Sequence, residues 1–401
     1  MGNLTLNGAT SGQITLAPTA VAGTNTITVP AATGTMLTSS GNQTITGTMV
    51  MSSPYTMRNK IINGAMVIDQ RYAGASFTQT TSTTYSIDRW ASIGTVASKF
   101  TVQQNAASVT PPAGFKNYLG VTSASAYSVS ASDTFAILQT IEGFNVADLA
   151  WGTASAQTVT VSFWVRSSLT GTFGGSLTND VGSRSYPFSY TISSANTWEQ
   201  KSVTITGDTT GTWQTNNSVG ISLRFGLGSG ATYSGTANAW AAANYVQPTS
   251  TTSVVGTNGA TFYITGVQLE IGTTATPFEY RNYQQELAMC QRYYRTSFEI
   301  GTAPAQNTGI QQGAVAAQAP ASAANVMGVY VQMNPSMRTQ PTLTFYNPNA
   351  ANSNWRNTSA GSDGPAPGTI NNASTGWMVF ANGSVTGANT YQIHYSASAE
   401  L

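Results

Sequence analysis

The sequence predicts an all-β protein, and three observations carry that expectation. Short segments such as TITV (26–29), FAILQTI (135–141) and TVTVSFWVRSS (158–168) are apolar and β-branched, most with period-two alternation. Turn formers, among them Asn7-Gly8, Gly41-Asn42 and Asn63-Gly64, separate such segments. Helical spacing is confined to one stretch, TPFEYRNYQQELAMCQRYYRTSFE (276–299). Strand after strand without intervening helices indicates β-sandwiches rather than a parallel sheet.

Composition narrows the function classes. Only 7% of the 401 residues are charged, against about 25% in ordinary soluble domains. Hydrophobic residues reach 40% and aromatics 10%, too many for a disordered chain. Net charge is +1 with no basic cluster, so an electrostatic grip on nucleic acid is not expected. Cys290 is the single cysteine; no intrachain disulfide can form, and a small buried thiol is the expected reading. No apolar run approaches about 18 residues and the N-terminus lacks a basic-then-apolar pattern. Membrane insertion and a secretory route are therefore not expected.

Residues 1–57 carry no charge; the first is Arg58. Five brief strands are expected there, at 4–6, 13–16, 26–29, 35–38 and 44–49. Such strands cannot bury a core in one copy, so an intertwined trimeric β-shaft or anchor is expected. Residues 58–276 read as a β-sandwich. Within VTVSFWVRS, Val159, Val161, Phe163 and Val165 share one face, and Thr160, Ser162, Trp164 and Arg166 the other. Residues 277–298 read as a short linking helix with a stripe of Tyr283, Leu287, Cys290 and Tyr294. Residues 299–401 read as a separate C-terminal β domain.

Several stretches resemble bacteriophage and prophage tail-fibre proteins. They are NGAMVIDQR (63–71), YSIDRWAS (85–92), VTVSFWVRSSLTG (159–171) and FYITGVQLEIGTTATPFEYRNYQQELAMCQRYYRT (262–296). The sandwich is also similar to jelly-roll carbohydrate-binding modules. The resemblance implies a virion appendage that attaches the particle to host surface glycan, with a homotrimer and other virion proteins as partners and the C-terminal domain at the tip. A head-fibre, decoration or adaptor protein is the alternative, and a polysaccharide depolymerase a weaker one. Such modules often hold calcium, but Thr265 and Gly266 stand where acidic residues often sit, leaving Asp69 as a weak ligand.

Little in the sequence points to chemistry. His394 lies in an alternating strand, and one His with one distant Cys gives poor support to a triad. No zinc ligand cluster or phosphate-binding loop is visible, and no cofactor is expected. Carboxylate pairs such as Glu142 with Asp148, or Asp180 with Asp208, are spacing coincidences. Binding has the better case, since a lectin-like site needs exposed aromatic plates among polar side chains. The glycan-binding candidates are Trp213, Trp240, Tyr245, Trp355 and Arg356. Tyr118, Trp151, Tyr186 and Tyr233 are further loop aromatics. Trp90 and Trp164 are assigned to packing.

Overall fold

In the computed structural model the described residues are 4–7, 13–16, 57–321 and 327–401. The chain divides into two compact units, Met1–Met51 and Ser52–Leu401. In the first, strands β1 (Leu4–Asn7) and β2 (Gln13–Leu16) pair antiparallel, Leu4 opposite Leu16. The strands expected at 26–29, 35–38 and 44–49, and most of the shaft they would form, lie outside the described residues.

The second unit opens with a sandwich of two six-stranded antiparallel sheets. Strands are numbered along the chain. Across the front sheet run β12 (Glu199–Ile205), β9 (Val159–Ser167), β16 (Thr261–Ile271), β7 (Leu119–Ser123), β6 (Phe100–Gln104) and β3 (Phe77–Thr78). Across the back run β11 (Ser185–Ile192), β10 (Gly171–Thr178), β13 (Val219–Ser229), β8 (Thr134–Glu142), β5 (Trp90–Gly94) and β4 (Thr84–Ile87). From β8 onward the chain crosses between the sheets except at the β10–β11 hairpin, the arrangement of a jelly roll. A short parallel pair, β14 (Ser234–Gly235) and β15 (Gln247–Pro248), lies beside the back sheet.

The period of two sets the core. Val159, Val161, Phe163 and Val165 are buried together with Leu223 and Phe225 of the back sheet. Phe163 and Phe225 meet edge-on, ring centroids 5.0 Å apart. Burying each such ring contributes about 1.5–3 kcal/mol. Trp90 is fully buried, donating its indole N–H to the Asn63 carbonyl at 3.0 Å.

The expected helix over 277–298 is shorter in the structure. Helix α1 spans Tyr283–Gln291, and Asn282 caps it by accepting from the Gln284 amide at 3.0 Å. Before it the chain is held extended by side-chain bonds described below. After it, Tyr294–Thr296 forms β17, paired with the last strand, β25 (Thr390–Ser398). Leu287, Cys290 and Tyr293 pack on Ile62 and Ile68 of the sandwich's opening element, whereas Tyr283 is exposed.

The strands that follow β17 are β18 (Val315–Gln318), β19 (Gly328–Gln332), β20 (Thr342–Tyr346), β21 (Arg356–Asn357), β22 (Ser362–Asp363), β23 (Ala366–Ala373) and β24 (Gly376–Asn382). β17, β18, β20 and β21 all pair with β25, and β19, β24 and β23 make a three-stranded sheet. They enclose their own core around Trp355, Trp377, Tyr391 and Ile393.

Ion pairs fasten this region to the sandwich. Glu400, its side chain 7% exposed, accepts from Arg71 at 2.6 Å and from buried Arg89. Arg338 donates to the Asn217 carbonyl of the sandwich at 2.8 Å and, within its own region, to the Ala399 and Glu400 carbonyls. Arg292 grips Glu142 at 2.8 and 2.6 Å, and the Tyr293 hydroxyl donates to the same carboxylate at 2.6 Å. Burial pushes the Glu142 pKa up, but the bonds from Arg292 and Tyr293 outweigh it and hold the carboxyl below its ordinary range.

Glu142 therefore stabilises the fold above the unfolded carboxyl pKa, and this contribution is lost as pH falls through the lower folded value. Glu142→Gln should lower stability near pH 7 by about 2–3 kcal/mol, at the lower end for breaking a buried pair because Arg292 is about one-third exposed. Denaturant unfolding at pH 7 and pH 3 should find the gap between variant and parent narrowing in acid.

Candidate functional site

The outer face of the front sheet carries a cleft of about 600 Å³. Its floor is Trp164 on β9 with Gln200, Lys201 and Ser202 on β12, and its walls are the 113–115 turn and residues 275–280. Alternation along β9 turns Trp164 away from the core, and the ladder sets it between Gln200 and Thr265.

A bulge in β16 shapes the floor. The register slips between Thr265 and Gln268, with Gly266 between them at φ +60°. A Cβ at Gly266 would lie 2.6 Å from Phe115 and 3.1 Å from Trp164, so only glycine lets both rings sit against the strand.

Beyond the bulge, Gln268 and Glu270 also point outward, yet both are buried. Glu270 accepts from the Thr276 amide at 2.9 Å and its hydroxyl at 2.6 Å, and Gln268 accepts from the Glu279 amide at 2.8 Å. Glu279 accepts from the Asn59 amide at 2.9 Å, and Arg281 donates to the Asn59 and Ile61 carbonyls. Residues 276–281 are thereby laid along the sheet instead of entering the helix. Their placement sets Phe278 and Tyr280 against Phe115, with centroids 5.0–5.5 Å apart in a three-ring cluster. Tyr280 is 60% exposed. A second cavity of about 230 Å³ adjoins, sharing Phe115, Phe278 and Tyr280.

The cleft is polar without net charge. Lys201 pairs with Glu199 at 2.6 Å, and this bond holds the Glu199 carboxyl below its usual range. Glu270 is paired with Arg58 at 3.8 Å. Apolar rings beside uncommitted amide and hydroxyl groups suit a neutral hydroxylated ligand.

The residues anticipated from sequence fall elsewhere. Trp213 and Trp240 do come together, forming an edge-to-face triad with buried Trp151 at centroid distances of 4.7, 5.4 and 5.6 Å. Their indole N–H groups are spent on the Thr210 and Thr206 carbonyls at 3.1 and 2.8 Å. Arg184, gripping Asp208 with two 2.7 Å bonds, stands over Trp240. Tyr245 is half-buried and packs over Gly235. Trp355, read as an exposed tip residue, is instead fully buried, its indole donating to the Phe380 carbonyl at 3.2 Å. Its Asn- and Ser-rich surroundings disguise a core position. Arg356 is tied to Asp363 at 3.3 Å and to the Gly361 carbonyl at 2.7 Å.

Trp164, assigned to packing, is the tryptophan that lines the cleft, and it is half-buried. Phe115, Phe278 and Tyr280 were also missed. The available signal was the strand alternation, which grouped Trp164 with the outward residues. Tyr118 is buried beside Tyr263 on the same sheet face.

The remaining polar candidates are committed to structure. Both His394 ring nitrogens are engaged, Nδ1 with Ser297 Oγ at 2.8 Å and Nε2 with the Ile310 carbonyl at 3.1 Å; burial lowers its pKa. Asp69 accepts from the backbone amides of Arg71, Tyr72 and Gly74. Asp148 pairs with Lys60 at 2.6 Å. Among the described residues no three metal-ligating side chains cluster.

No family model matches this chain, and no curated protein does. Solved structures do resemble it. The enzymatically active domain of a bacteriophage CBA120 tailspike protein is 12% identical over 54% of this chain and 22% of its own, with a TM-score of 0.30. A family 11 carbohydrate-binding module from Clostridium thermocellum, in complex with a β-1,3-1,4-mixed-linked tetrasaccharide, is 10% identical over 50% of this chain and 98% of its own, with a TM-score of 0.25. Modules of xylanase 10B from Clostridium thermocellum, complexed with xylohexaose, are 16% identical over 53% of this chain and 30% of that one, with a TM-score of 0.25.

The two tryptophan sites should separate by stability. Trp213→Ala, which opens the triad, should cost about 3 kcal/mol. Trp164→Ala should change unfolding by no more than about 1 kcal/mol, as for a surface substitution. Urea titration of the two variants checks both values.

Proposed function

We propose that this chain is the saccharide-binding part of a phage tail fibre, holding host surface glycan in the front-sheet cleft and acting without bond cleavage. The observation that carries the binding reading is the accessible Trp164 ring, with Phe278 and Tyr280 beside it and Gln200, Ser202 and Thr276 within the same cleft. Sugars offer apolar C–H faces bordered by hydroxyls, so such a cleft matches both parts of the ligand. The paired state of Lys201 and Glu270 favours neutral sugars over strongly acidic ones.

The virion role follows from the tail-fibre resemblance of residues 58–298. Single saccharide contacts are weak, and a homotrimer anchored through its N-terminal strands would raise avidity by presenting several clefts to one cell surface. Three of the four carboxylates weighed as catalytic pairs support binding over hydrolysis, since Glu142, Asp148 and Asp208 each hold a basic partner; Asp180 holds none among the described residues.

Trp164→Ala and Tyr280→Ala should each weaken binding to purified host-surface polysaccharide roughly thirtyfold, as expected for interface anchors worth about 2 kcal/mol. Affinity electrophoresis reads the loss, and a reducing-end assay on the same polysaccharide should stay at background. Unchanged mobility of both variants would contradict the cleft, and released reducing ends would contradict the non-catalytic reading.

A further inference from the structure

A third cavity, of about 370 Å³, opens where the sandwich meets the C-terminal strands, within the volume range of small-ligand sites, about 300–1,000 Å³. Its lining is unlike that of a packing void. Tyr72 and Tyr85 come from the sandwich, Tyr294 from β17 and Tyr346 from β20, and Arg71, Thr83, Thr84 and Pro304 complete it. Arg71 stacks on Tyr294 with its guanidinium 3.8 Å from the ring centroid, and 5.0 Å from that of Tyr85. Only its Nη2 is engaged, on Glu400; Nε is buried without a partner among the described residues.

Charge here is already balanced. Glu400 is shared by Arg71 and Arg89, and the Asp69 carboxylate is saturated by three backbone amides. Four tyrosine rings around one arginine thus offer apolar faces without excess charge; the Tyr85 and Tyr346 hydroxyls are bonded to the Leu401 carbonyl and Ser396, which leaves the Tyr72 and Tyr294 phenols and the arginine N–H groups as donors. From this we infer a second saccharide site at the junction, taking one or two neutral sugar units. The inference rests on the saccharide-binding reading above and extends it: each chain holds sugar at two separate places, one of them built from both β regions.

The test uses the full chain and a fixed panel of neutral oligosaccharides: β-1,4-galactotriose, cellotetraose, mannotriose and N,N′-diacetylchitobiose. Binding is followed by ligand-observed NMR in four chains: parent, Trp164→Ala, Thr84→Trp and the double variant. Thr84→Trp fills the junction cavity from a half-buried strand position, and Tyr72→Ala is the substitute should it melt early. The Trp164→Ala chain is expected to retain binding of at least one panel sugar. Thr84→Trp in that background should weaken it roughly tenfold or more. A Trp164→Ala chain that binds no panel sugar, or a double variant that binds as well as Trp164→Ala, overturns the junction site. Parent and Trp164→Ala chains that bind alike, with Thr84→Trp abolishing all binding, support the junction and overturn the cleft instead.

Discussion

Gln268 and Glu270 bury polar groups on a sheet face that would otherwise meet water, and everything distinctive about the cleft depends on how they are satisfied. A buried carboxylate without partners would cost several kcal/mol. Here the partners are the Thr276 amide and hydroxyl, the Glu279 amide and Arg58. Meeting that requirement forces residues 276–281 to lie extended across the strand. The same segment presents Phe278 and Tyr280 beside Trp164, and it delivers Asn282 to start the helix. Backbone pinning, cleft wall and helix cap are consequences of one arrangement.

The same economy governs the chain's other charges. With so few of them, the protein places most where a segment must be fastened: Arg281 on the opening element, Arg292 on Glu142, and Arg71 and Arg89 on Glu400. The charged, aromatic stretch that stands out in the sequence is thus a fastener, and only nine of its residues are helical. The Leu287 and Cys290 side chains fill the space under Ile62 and Ile68, binding the helix to the sandwich.

Much of the fold was legible because period-two alternation is a strong local signal. The strand 159–167 was assigned its two faces correctly, and the sandwich follows from repeating that pattern. The site was less legible because its members come from distant places. Trp164 could be seen to face outward, but nothing local says that an outward face is open at Trp164 and roofed over at Gln268. Trp355 misled for the opposite reason, since its neighbours Asn354 and Arg356 have loop-like identities while the ring itself fills the C-terminal core. Trp213 and Trp240 were rightly placed in loops, yet three loop tryptophans packing on one another serve stability better than binding, because their edges and N–H groups face protein.

The central claim is that sugar is held at Trp164 and not at the tryptophan triad. Indole N–H signals in an amide-proton NMR spectrum distinguish these directly, since Trp164 lines the cleft whereas Trp213 and Trp240 donate to carbonyls. On titration with host-surface polysaccharide, the Trp164 signal should shift saturably while those of Trp213 and Trp240 stay in place. A saturable shift confined to Trp213 and Trp240, with Trp164 unmoved, would contradict the account.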